Sequence, residues 1–116
     1  MGNRILLGNT ADVPAGGLKE FRTELERVVV AHVGNAFSGI AARCPHMGGA
    51  MINGRLDGAS ITCALHGSRF NIQTGEVLDW VHAPGFLRAL LTLGRPPKPI
   101  QTYAVIEEAG KLYLEE

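Results

Sequence analysis

The chain has no excess of either charge. Lysine plus arginine number 11, aspartate plus glutamate 11, and the sequence pI is about 6.9. A nucleic-acid-binding domain is ordinarily basic, so that class is excluded. Zero net charge also gives no indication of steering toward a strongly charged partner. No apolar stretch has the length of a membrane span. The apolar run at residues 5–7 is too short for a secretory signal, and no cleavage site follows it. Met1-Gly2 opens like a myristoylation signal, but Leu6 stands where serine or threonine is required. Repeats, low-complexity tracts and linkers are missing too, so residues 1–116 are expected to form one domain. A chain of 116 residues can bury its own core with little to spare.

Cysteine is scarce as well. There are two, Cys44 and Cys63, and each has a histidine close behind it. The first group reads Cys44-Pro45-His46, the second Cys63-Ala64-Leu65-His66. Glycines follow both: Gly48 and Gly49 after the first, Gly67 after the second. A thiolate is a soft, charged donor that suits iron and zinc, and a neutral imidazole suits either metal without adding charge. Two of each fit one tetrahedral zinc or the outer positions of a two-iron cluster. Zinc fingers usually group like with like, whereas each loop here is mixed. Two facing loops can put both cysteines on one iron and both histidines on the other. With both cysteines committed to metal no disulfide remains, which fits a reducing compartment and a cytoplasmic location.

This stretch resembles the Rieske family of [2Fe–2S] proteins. Cys-x-His, a spacer of residues 47–62 and then Cys-x-x-His is that family's signature. The neighbours agree: Arg43-Cys44-Pro45-His46-Met47-Gly48-Gly49-Ala50, then Cys63-Ala64-Leu65-His66-Gly67-Ser68-Arg69-Phe70, then Thr74-Gly75. The resemblance covers residues 28–116 with one interruption. It implies an all-β fold, an antiparallel sandwich or barrel base with a small inserted cluster-binding subdomain at about residues 43–78. It implies one [2Fe–2S] cluster held by Cys44, His46, Cys63 and His66. Gly48, Gly49 and Gly67 serve as turn residues and let backbone N–H groups approach the sulfides. Ser68 is placed as a donor to a cluster sulfur. His46 and His66 form the surface tip through which the electron leaves, with Pro45, Met47 and Pro97 as docking surface.

Around the ligands the chain reads as strands. Residues 4–7 form a first strand, 9–17 a turn-rich loop on Pro14, Gly16 and Gly17, and 18–23 an imperfectly alternating strand. Residues 27–33 are rich in β-branched side chains, a buried-strand signal. Gly34-Asn35 is a hairpin turn, and residues 37–43 return to deliver Cys44. Brief strands are expected within 53–58 and at 60–62, 69–72 and 77–78. Residues 101–107 and 111–114 make a terminal hairpin across 108–110. His32 is expected on the polar face of its strand rather than as a fifth ligand.

Residues 79–94 depart from the family pattern, which passes almost directly from the Thr74-Gly75 region to a proline-rich loop, here 95–99. Phe86, Leu87, Leu90, Leu91 and Leu93 lie between Pro84 and Gly94, so a short helix is expected over 84–94. It is expected to pack within the domain rather than against a partner. Trp80 reads as an anchor and His82 as a surface histidine.

Histidine ligation raises the potential relative to all-cysteine clusters. In high-potential members of the family an extra cysteine in each loop forms a disulfide, and serine and tyrosine hydroxyls donate to cluster sulfurs. Here Met47-Gly48-Gly49 and Ala64 exclude the disulfide, Ser68 matches the serine, and Phe70 replaces the tyrosine. The expected potential lies in the lower half of a range of about −150 to +300 mV, and voltammetry above about +150 mV would contradict it. Rieske oxygenases carry a separate iron site of two histidines and a carboxylate. Only His32 and His82 are left over, so no catalytic site is expected. The resemblance thus implies a soluble carrier without the membrane anchor of bc-type subunits. It would take one electron from a reductase, a flavoprotein, and pass it to a terminal oxygenase. The alternatives are a fixed small subunit of a larger oxidoreductase of the nitrite reductase kind, with the insert as its interface, and a zinc-bound structural module.

Overall fold

The computed structural model describes residues 4–23, 26–45, 49–64, 67–79 and 98–115. Among the described residues, ten strands fall into two antiparallel sheets. The larger sheet has the order β1-β10-β9-β4-β3-β2, from β1 (Arg4–Asn9), β10 (Lys111–Glu115), β9 (Thr102–Glu108), β4 (Ala36–Ala41), β3 (Arg27–Val33) and β2 (Leu18–Arg22). Its edges β1 and β2 approach each other, so the sheet curls toward closure. The smaller sheet is a meander of β5 (Arg55–Asp57), β6 (Ser60–Thr62), β7 (Arg69–Asn71) and β8 (Val77–Asp79). The expected all-β architecture is therefore present. The insert expected to hold a helix, with Trp80 and His82, lies outside the described residues.

Two apolar cores follow from the alternation of side chains along the strands. One fills the curled sheet and contains Val13, Phe21, Val28, Val30, Leu112 and Leu114. The other lies between the sheets and contains Val29, Ala31, Ile40, Ala42, Cys44, Met51, Ile61, Cys63, Phe70, Ile72 and Ile100. Strand β3 feeds both: Val28 and Val30 face one way, Val29 and Ala31 the other. Burial on two faces explains why residues 28–31 are uniformly apolar instead of alternating. Each fully buried valine contributes on the order of 1.5–3 kcal/mol. At Gly39 a side chain would meet Val105 Cγ2 at 2.8 Å, so glycine there lets the curled sheet close over its core.

Three details depart from the sequence reading. The loop after β1 holds a 3-10 turn, Thr10–Asp12, because the Asp12 carboxylate accepts the Asn9 N–H at 2.9 Å. Asp79, placed in the insert, belongs to β8 opposite Arg69. His32, expected on a polar face, is half-buried: its ring stacks on Phe37 at 4.1 Å, and Nδ1 lies 2.8 Å from the Val13 carbonyl. Its parity along β3 is that of Val28 and Val30, which turns it toward the end of the curled sheet and explains the contact.

Candidate metal centre

Two loops at one end of the smaller sheet carry the cysteines, and they are built alike. The first leaves β4. Arg43 bridges to Ala50, the Cys44 N–H donates to the Gly49 carbonyl at 2.8 Å, and the Met51 N–H donates to Ala42 at 2.9 Å. The second leaves β6. Thr62 pairs with Arg69, the Cys63 N–H donates to the Ser68 carbonyl at 2.7 Å, and the Gly67 N–H donates to the Cys63 carbonyl at 3.1 Å. In each loop the cysteine opens the excursion and is bonded through its own backbone to the residue that closes it.

Both cysteines are buried, 4% exposed at Cys44 and 2% at Cys63, and they share one apolar cluster. They are not joined as a disulfide. Met51, Ile61, Phe70 and Ile72 complete the surroundings and are essentially inaccessible. Ser68 is the one fully buried polar residue among those described. Gly67 has φ +76°, a conformation that other residues adopt only with strain, and Gly49 is half-buried at the neck of the first loop. Pro45 is half-buried in a turn. His46, Met47, Gly48, His66 and Pro97 lie outside the described residues. Met51 was not singled out from the sequence. It sits in a short 3-10 turn, Met51–Asn53, and its only sequence signal is an apolar side chain soon after a glycine pair.

The donor set fits a thiolate-bound metal centre. Thiolates are the protein ligands of iron–sulfur clusters and of structural zinc, and two of them held in one dry cluster are poor water contacts but good metal donors. A curled antiparallel base carrying a small sheet with paired cysteine loops defines a metal-binding β domain. Residues 3–103 match the Rieske [2Fe-2S] domain model, and the chain belongs to that family. It is 32% identical over 115 residues to the 3-phenylpropionate/cinnamic acid dioxygenase ferredoxin subunit of Escherichia coli (strain K12), covering 97% of this chain and 93% of that one. It is 26% identical over 112 residues, 97% of its length, to the cytochrome b6-f complex iron-sulfur subunit of Chlorobaculum tepidum, and spans 53% of that protein. The solved Sphingomonas yanoikuyae B1 ferredoxin superposes with a TM-score of 0.77 at 25% identity, covering 98% of this chain and 99% of that one. No helix among the described residues is long and apolar enough to cross a membrane.

Proposed function

We propose that the chain is a one-electron carrier in which Cys44 and Cys63 bind one iron of a [2Fe–2S] cluster and His46 and His66 the other. The observation that carries this is the pair of matching loops, each opening on a buried cysteine of the same apolar cluster. Residues 43–78 form the cluster-binding part of a single domain spanning 1–116. When bound, the cluster supplies a reversible one-electron couple. The rest is the work of the chain's own residues. Met51, Ile61, Phe70 and Ile72 keep water from the sulfur ligands. Gly49 and Gly67 let the backbone come close, and buried Ser68 supplies a hydroxyl that would donate to a cluster sulfur. Phe70 offers no hydroxyl, which supports a potential in the lower half of the family's range, about −150 to +300 mV.

The match along nearly the whole of a dioxygenase ferredoxin subunit supports the partners: a flavoprotein reductase as donor and a terminal oxygenase as acceptor. The same kinship supports cytoplasmic residence. The test is the EPR spectrum of the dithionite-reduced protein with iron and sulfide analysis. Two irons, two sulfides and an average g value well below that of all-cysteine clusters are expected. Cys44→Ser and Cys63→Ser should abolish the signal, and His46→Cys should change it. A colourless protein with one zinc would replace this reading by the structural-module one.

A further inference from the structure

Zero net charge conceals an uneven distribution. Cross-strand register sets Arg55, Thr62, Arg69 and Asp79 in one row across β5–β8. Their neighbours Leu56, Ile61 and Phe70 pack into the core between the sheets, so the row itself faces outward. Arg55 and Arg69 are exposed, and neither has an ion pair among the described residues. The row borders the second loop directly, since Thr62 precedes Cys63 and Arg69 follows Ser68. Arg43 holds the same position on the first loop, exposed between buried Ala42 and Cys44. A groove of about 320 Å³ lined by Thr62, Gly67, Arg69 and Asp79 opens beside it. Among the described residues of 43–79, three arginines thus stand at the loop end against one carboxylate, Asp79, which lies opposite Arg69 across the strand pair. The other carboxylates of residues 43–79 are at the turn end: Asp57 by the β5–β6 turn and Glu76 in the β7–β8 turn.

We propose that Arg43, Arg55 and Arg69 form a positively charged collar on which an acidic face of the redox partner docks. This rests on the electron-carrier reading. The chain has no net charge, so the collar acts at short range, within about a Debye length of roughly 8 Å at physiological salt. It orients the encounter and raises its rate more than it adds affinity.

Two small oxidants of opposite charge probe the collar without a known partner. The reduced holoprotein gives one electron to ferricyanide, a trianion, or to hexaamminecobalt(III), a trication, followed by stopped flow at ionic strengths of about 10 to 200 mM. The ferricyanide rate is expected to fall several-fold with salt and the cobalt rate to rise. The double variant R55E/R69E should reverse both slopes. K19E/K111E has the same net charge, with Lys111 beside the β9–β10 turn at the far end of the base sheet, and should keep the wild-type signs. If R55E/R69E takes up no cluster, R55Q/R69Q should flatten both slopes instead. Equal salt dependence for the two oxidants in the wild type overturns the proposal, as does K19E/K111E behaving like R55E/R69E. A wild-type protein with no EPR signal defeats the carrier reading, and the collar with it. A normal EPR signal with charge-blind rates defeats the collar alone.

Discussion

Tyr103 lines the core of the curled sheet, and burial, followed by the nearby Glu26 charge, raises its phenol pKa above the ordinary 10.0. A raised acid pKa means the folded state holds the proton more tightly than the unfolded chain does. Its contribution is complete below pH 10 and is lost as the pH climbs from there through the folded value. Denaturant midpoints should therefore be flat near pH 8–9 and fall above about 10, and Tyr103→Phe should remove part of that alkaline loss. Single residues differ in how far the sequence reveals them. Cys44 and Cys63 were legible because their spacing is chemical. Met51 and the stacking of His32 on its cross-strand partner Phe37 were not, because burial and ring contact depend on how the strands pack and leave no mark in local composition.

Among the elements, the turn from Asn71 to Gly75 fastens the two halves of the molecule. Asn71 Oδ1 accepts the N–H groups of Gln73 and Thr74, Gly75 donates to the Asn71 carbonyl at 2.8 Å, and the Gly75 carbonyl accepts Ile100 N–H at 2.9 Å. Gly75 has φ +80°, and a side chain there would fall on the Ile100 carbonyl oxygen. Gly75→Ala should cost at least about 2 kcal/mol, the left-handed penalty plus the displacement of Ile100, read as a lowered urea midpoint at unchanged m-value. Most strands were legible from β-branched runs and turn residues, with ends off by a residue or two. The 3-10 turns were not, since each depends on a particular closure such as Asp12 on Asn9. Nor was the pairing of β1 with β10, which joins the two ends of the chain and is dictated by tertiary packing alone.

At the scale of the molecule, the two cysteines are part of the core between the sheets, so metal binding at these proposed ligands would be linked to folding. Removing the cluster should lower the melting temperature by at least about 4 °C, the shift that roughly 1 kcal/mol produces in a domain of this size. Because β3 serves both cores, far-UV and near-UV circular dichroism should report the same transition in the metal-free protein. Two separated transitions would show that the sheets melt independently.

The double duty of β3 also limits modularity. The smaller sheet supplies only one side of the core that shelters Cys44 and Cys63; the opposite side is the outer face of β3 and β4. A fragment cut at the ends of residues 43–79 would leave that side bare. Grafting the redox unit onto another β scaffold therefore means transplanting a strand pair whose outward residues are Val29, Ala31 and Ile40, and recombination between relatives should succeed only where that face is inherited with the loops.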